Sequence, residues 1–247
     1  MRELSLVRIF RRTLLVLVVL GLLFVAVDRI SAWIAGRVLA DQVARELTNY
    51  EVNGGQPDVS VGGFPFLTQV VSGEYAEVTL HLRDVGADAV QLSDVEIVAS
   101  DVTAPMSTLI ERSGPIHAGR VDGTAIVGYD SVAAFTGLDG LELSAAGRET
   151  VAVRMPVDVL GTSVALAGSA SVGINGNTLH MRVTELAADN SVDLPAEAQA
   201  QVDQLASAAS VDVPLPALPY DLSVDSARAE STGLAVDLSA NDVPLSR

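Results

Sequence analysis

The sequence contains no cysteine and no lysine, and all 15 of its basic residues are arginine. The lack of cysteine excludes thiol catalysis, cysteine-ligated metal sites and iron–sulfur clusters. The lack of lysine excludes Schiff-base chemistry and a P-loop. Aromatic residues make up only 4% of the chain and there are only three histidines. Few side chains therefore remain from which a catalytic or metal-binding cluster could be built.

Acidic residues outnumber basic ones by 31 to 15, and the charge is unevenly distributed. Residues 1–28 carry four arginines and two acidic residues, which leaves residues 29–247 with 11 arginines, 29 acidic residues and a net charge of −18. A nucleic-acid-binding protein neutralises phosphates with a basic face. We therefore expect no nucleic-acid partner, and no adhesion of the acidic body to anionic lipid through a basic patch.

An uninterrupted apolar run, Leu14–Val27, follows Arg8, Arg11 and Arg12 near the N-terminus. Its length lies between a signal-peptide core and the roughly 20 residues of a full membrane span. Arginines before such a run keep that end in the cytoplasm, so the body is exported. Because good cleavage residues are lacking after the run, the sequence favours an uncleaved signal anchor over a cleaved signal. We thus predict a cytoplasmic tip and anchor over 1–28, and a single domain over 29–247 on the outer, periplasmic-like face of the cytoplasmic membrane. If the signal is cleaved, an exported soluble form is expected instead.

The remaining chain begins with a helical pattern and then changes to alternation. Residues 29–50 form a predicted helix with a seam of Trp33, Gly36, Ala40, Val43, Leu47 and Tyr50. Such a stripe buries one face of a helix. After residue 55 apolar and polar residues alternate, as in Val78, Leu80 and Leu82, which is typical of antiparallel strands with one dry and one wet face. The predicted fold class is α+β, with the long N-terminal helix packed on a large, strongly curved antiparallel sheet.

No constellation in the sequence indicates an active site. Gly161 to Ala165 resembles a nucleophile elbow, but it lies between two strands and not on a strand-to-helix turn. Residues 189–193 lack the glycine and the glutamate that complete a calcium loop. We expect no metal and no cofactor, and Ser163 and His117 are the only candidates if the domain modifies a lipid enzymatically.

The segment Gly62 to Gly73 contains two of the five phenylalanines, Phe64 and Phe66, around Pro65. A loop between two strands is normally polar. The two phenylalanines either plug the core at a strand end or form an apolar lip at a binding cavity, and the sequence leaves both interpretations open. The second predicts that both side chains are only partly used in the core.

That segment, with Glu74 to Val78 after it, resembles the LmeA family of exported phospholipid-binding proteins. The resemblance continues through Val95 to Val102, Gly123 to Asp130 and Leu215 to Tyr220, and so covers about residues 30–245. It implies a tubular lipid-binding domain in which a curved sheet wraps a long helix around an apolar tunnel. It also implies binding of phospholipid, inositol phospholipids included, in support of lipomannan-type envelope glycolipid assembly. No catalytic residue is implied.

The leading hypothesis is therefore a non-enzymatic, membrane-anchored phospholipid-binding protein. The side chains expected to contact lipid are apolar residues of the helix, the loop and the strands: Trp33, Val43, Leu47, Phe64, Phe66, Tyr75, Val78, Leu80, Leu82, Phe135, Met155 and Tyr220. The alternative is a structural adaptor of the envelope, whose sheet packs fully and binds a protein partner. A filled interior favours the adaptor and an open apolar cavity favours lipid.

Overall fold

A computed structural model describes residues 2–49, 53–87, 90–111, 114–159, 162–175, 178–188, 200, 202, 204, 206–207, 210–214 and 222–246. Its first element, helix α1 (Arg2–Asn49), runs without a break across the predicted boundary at residue 28. At 1.5 Å per residue this helix is about 70 Å long. Among the described residues it is the one helix long and apolar enough to cross a membrane, and the body buries almost none of its most apolar stretch.

Helix α1 packs on the body through small residues, and the seam differs from the prediction by one position. Ala32 and Gly36 are buried and Ala40, Val43 and Leu47 are half-buried, whereas Trp33 is 57% exposed. A Cβ on Gly36 would lie 2.3 Å from the carbonyl oxygen of Val59. The helix therefore approaches a strand backbone so closely at position 36 that a larger residue does not fit there, whereas the Trp33 side chain stays largely exposed.

The body begins with strand β1 (Asp58–Val61), and in the described part of the chain three short helices alternate with strands after it. The elements that follow are α2 (Phe66–Ser72), β2 (Glu74–Ala87), β3 (Val90–Thr103), α3 (Met106–Glu111), β4 (Ile116–Gly128), α4 (Tyr129–Thr136), β5 (Glu142–Ala145), β6 (Thr150–Val159), β7 (Thr162–Asn175), β8 (Thr178–Ala188), β9 (Val211–Pro214), β10 (Ser223–Glu230) and β11 (Gly233–Ser246). All pairings between these strands are antiparallel. The α+β class with a long N-terminal helix and antiparallel strands is confirmed.

The strands of this antiparallel fold are divided between two sheets. Sheet A has six strands in the order β1-β2-β3-β4-β11-β10, and sheet B has five in the order β5-β6-β7-β8-β9. Apolar and polar residues alternate in the same way along the strands of both sheets. This pattern therefore predicts strands, but it does not predict which sheet a strand belongs to.

Two buried clusters occupy opposite ends of sheet A. The first joins the two sheets, with Val151, Met155 and Val172 of sheet B packed with Leu234 and Val236 of β11. The second joins sheet A to the helices, and it includes Ala32 of α1, Phe66 of α2 and Tyr75 of β2. The apolar face of sheet A is therefore covered by sheet B at one end and by α1 and α2 at the other.

The opposite face of sheet A is polar. Asp237 on β11 accepts hydrogen bonds from the hydroxyls of Thr124 on β4 at 2.8 Å and of Ser226 on β10 at 2.7 Å. Arg228 forms an ion pair with the same carboxylate. These contacts hold three adjacent strands together behind the apolar face.

Candidate functional site

An apolar row crosses sheet A between the two clusters. Leu80 of β2 pairs with Ile97 of β3, Ile97 with Gly123 of β4, and Gly123 with Leu238 of β11. Val95 and Ala125 pair in the next row. The residues of this set are half-buried, and Leu238 also packs against the first cluster and Ile97 against the second. We call the surface formed by Leu80, Val95, Ile97, Gly123, Ala125 and Leu238 the open apolar face.

Gly123 leaves a gap in the middle of the open apolar face. A Cβ on Gly123 would meet the carbonyl oxygen of Glu96 and the Cβ of Leu238, both at 3.8 Å, an ordinary contact distance. A side chain could therefore fit there without strain, and the glycine leaves a shallow depression between Ile97 and Leu238. Of the open apolar face, only Leu80 was among the residues predicted to contact lipid. The period-two pattern of the strands could also have shown the other five: Val95, Ile97, Gly123, Ala125 and Leu238.

Strand β2 has the predicted alternation of apolar and polar residues in its cross-strand pairs, but the exposed fractions of neighbouring side chains differ less than expected. Leu80 pairs with Val59 on one side and Ile97 on the other, whereas His81 pairs with Asp58 and Glu96. The two faces of the strand are thus apolar and polar, as expected. Thr79 and Leu80 are nevertheless both half-buried.

The loop before α2 separates its two phenylalanines. Phe66 is 6% exposed and packs against Tyr75, with ring centroids 6.4 Å apart. Phe64 is 58% exposed and meets the ring of Phe24 edge-on, at 6.4 Å. The expectation that both side chains are only partly used in the core is right for Phe64 and wrong for Phe66, because the Phe66 ring fills the core between α2 and β2.

Two cavities lie beside this region. One of about 560 Å³ is lined by Phe64 and by Tyr75, Val102 and their strand neighbours. The other, of about 600 Å³, runs between α1 and β1 and is lined by Gly36, Ala40 and residues 56–61. Trp33 and Arg37 also line this second cavity, and the Arg37 guanidinium lies 4.0 Å from the centre of the Trp33 ring.

The other predicted lipid contacts are dispersed. Val78 is half-buried against the α1–α2 cluster, Leu82 is buried on the apolar face of β2, and Met155 is buried between the two sheets, away from the open apolar face. The side chain of Phe135, on α4, and the whole of Tyr220 lie outside the described part of the chain. The predicted residues therefore do not form one surface. The alternation of apolar and polar residues does not distinguish side chains in the packed core from side chains on the open apolar face.

The polar candidates do not assemble into a reactive site in the described structure. His81 contacts Asp94 at 2.8 Å on the polar face of sheet A, His180 contacts Asp212 at 2.5 Å on sheet B, and His117 is exposed. The side chain of Ser163 is not among those described. Within the residues that the structure describes, no group of three or more histidine or acidic side chains could hold a metal ion.

The structure therefore combines a half-buried apolar face on sheet A with a helix that is long and apolar enough to cross a membrane. In a comparison with known protein families, residues 27–239 match a family described as LmeA-like phospholipid-binding. The chain belongs to the LmeA-like family. Membership supports lipid binding by this LmeA-like chain and confirms the resemblance found in its sequence. Neither the curated proteins nor the solved structures contain a match to this LmeA-like chain.

Proposed function

We propose that this protein binds phospholipid on the open apolar face of sheet A, while α1 holds the body at the outer surface of the cytoplasmic membrane. The observation that carries the proposal is the half-buried row of Leu80, Ile97 and Leu238. Apolar side chains in contiguous register on one face form a patch that a fully packed protein would cover. Acyl chains are the apolar partner that the family description supports.

The energetics suit reversible loading. Burying a methylene gains about 0.8 kcal/mol whether the surroundings are protein or bilayer. Moving a phospholipid from the membrane to the open apolar face is thus close to an even exchange, provided that the acyl chains are covered equally well. The gap at Gly123 lets a chain approach the sheet backbone and increases that cover.

The side chains on the open apolar face suit binding and not catalysis. The apolar face presents aliphatic side chains, and the described histidines contact carboxylates on polar faces or face solvent. The proposed role is to carry or present phospholipid, inositol phospholipids included, for assembly of a lipomannan-type envelope glycolipid. This role rests on the family resemblance.

Photolabelling tests the proposal on the full-length protein. The protein is reconstituted into vesicles that contain a phosphatidylcholine with a diazirine in one acyl chain, irradiated and digested, and the labelled peptides are identified by mass spectrometry. We expect label on β2, β3 and β11 in addition to α1. Label confined to α1 would contradict lipid binding by the sheet and favour the adaptor hypothesis.

A further inference from the structure

Four large apolar side chains outside α1 are exposed among the described residues. They are Phe64 at 58%, Val71 at 83%, Met106 at 45% and Leu245 at 41%. Val71 lies on α2 and Met106 begins α3. Single exposed apolar side chains need no explanation, but a group at one place marks an interaction surface.

All four lie at the same end of sheet A. Helix α2 leads directly into Glu74 of β2, which pairs with Thr103 of β3, just before α3. Thr103 pairs with His117 of β4, and Ser246 at the end of β11 pairs with Ile116. These four strands are neighbours, so with strands about 4.8 Å apart their ends span roughly 15 Å. The backbone N–H of Ala104 also donates to the carbonyl of Gly73 at 2.8 Å, which joins the end of β3 to the end of α2.

The apolar segment of α1 leaves the body at this same end. The ring of Phe64 contacts Phe24, three residues before the apolar run ends at Val27. At 1.5 Å per residue, that places the Phe64 ring about 5 Å inside the end of the run. The Arg29 guanidinium donates to the carbonyl of Gly63 at 2.7 Å and lies 5.2 Å from the centre of the Phe64 ring. An aromatic ring beside an arginine just beyond an apolar helix is typical of the membrane interface.

We propose that the end of the body formed by Phe64, Val71, Met106 and Leu245, which we call the apolar tip, inserts into the interface of the membrane that α1 spans. This inference rests on the proposed anchoring by α1. The continuous helix and the contact between Phe24 and Phe64 bring the apolar tip to the bilayer surface. Sheet A then stands on the membrane, with β2, β3 and β11 leading from the lipid surface to the open apolar face.

Site-specific fluorescence labelling tests the proposal. Because the chain contains no cysteine, a single introduced cysteine is the only thiol that can be labelled. The full-length variants Val71→Cys, Thr232→Cys and Leu17→Cys are labelled with the fluorophore NBD and reconstituted into vesicles of phosphatidylcholine and phosphatidylglycerol. Thr232 is exposed in the turn between β10 and β11, at the opposite end of sheet A, and Leu17 lies in the apolar run. Quenching by nitroxide-labelled lipid reports contact with the bilayer.

We expect NBD at Val71 to show a blue-shifted, several-fold brighter emission that nitroxide lipid quenches, and NBD at Thr232 to behave as it does in water. Quenching at Leu17 with no quenching at Val71 would overturn the apolar tip and leave the anchor intact. Quenching at Val71 without quenching at Leu17 would overturn the anchor, and with it the insertion of the apolar tip into a membrane that α1 spans. An absence of quenching at both positions would overturn both.

Discussion

The carboxylate of Asp28 accepts a hydrogen bond from the backbone N–H of Leu67 at 2.9 Å, and this contact ties the end of the apolar run to α2. The Asp28 side chain is fully buried, and it also accepts a hydrogen bond from Arg29 at 2.8 Å. We expect Asp28→Ala to lower the melting temperature by a few degrees, because it leaves the Leu67 N–H without its partner. Faster hydrogen–deuterium exchange over residues 64–72 would show that the damage is local.

The matched control for that variant is Asp41→Ala. Asp41 is an exposed carboxylate on the same helix. Its removal should leave both the melting temperature and the exchange of residues 64–72 unchanged. Equal effects of the two substitutions would contradict a specific role for the contact between Asp28 and Leu67.

Gly36 sets the distance between α1 and β1. A Cβ at this position would lie 2.3 Å from the Val59 carbonyl oxygen, whereas a Cβ on Gly21, in the same helix, would meet nothing within 4 Å. Gly36→Ala should therefore destabilise the protein by about 1–3 kcal/mol through overpacking. Gly21→Ala should be neutral or slightly stabilising, because alanine favours the helix. Denaturant unfolding of the two variants checks this, and equal stabilities would mean that α1 does not approach β1 so closely.

The carboxylate of Asp237 makes stability depend on pH. Burial alone would raise the pKa of Asp237, but hydrogen bonds from Ser226 and Thr124 and the charge of Arg228 outweigh it and hold the pKa below its usual value of 3.8. A lowered folded-state pKa means that the contribution is complete above 3.8 and is lost as the pH falls through the folded-state value. Asp237→Asn should thus lower stability at neutral pH and reduce its acid dependence. The control is Asp242→Asn, which replaces an exposed carboxylate and should leave stability at neutral pH unchanged.

The pattern of the sequence predicts individual elements better than it predicts their assembly. The alternation of Val78, Leu80 and Leu82 predicts a strand with an apolar face, and β2 has that face. The same alternation at Val151, Val153 and Met155 belongs to a different sheet. Periodicity depends on neighbours within one strand, whereas the assignment of strands to sheets depends on pairing between distant segments.

The helix seam shows a second limit. Hydrophobicity favours Trp33 as a buried residue, but the close approach of α1 to the Val59 backbone selects Ala32 and Gly36. Asp28 shows a third, because its partner is a backbone N–H 39 residues away, which no side-chain pattern encodes. The apolar tip combines residues from α2, α3 and β11 that are separated widely in the chain, so it becomes recognisable only in the folded structure.

The gap at Gly123 offers a test that separates lipid binding from stability. Gly123→Leu fills the depression next to Leu238, where a Cβ fits at 3.8 Å, so the fold should be retained or slightly stabilised. Lipid labelling of β3 and β11 should nevertheless fall several-fold. Gly173→Leu, at an open position on sheet B, is the matched control and should leave that labelling unchanged. If Gly123→Leu labels as strongly as the unmodified protein, the depression does not hold an acyl chain.

The central claim, that phospholipid binds on the open apolar face, is tested most directly by one pair of adjacent substitutions. Leu80→Asp places an unpaired charge on the apolar face of β2, whereas Thr79→Asp places it on the polar face of the same strand. The measurement is the yield of diazirine phospholipid label on β3 and β11 relative to α1, for variants whose circular dichroism shows that they are folded. We predict that Leu80→Asp loses most of this label, that Leu80→Thr loses part of it, and that Thr79→Asp keeps it. Undiminished labelling of β3 and β11 in folded Leu80→Asp would contradict the account.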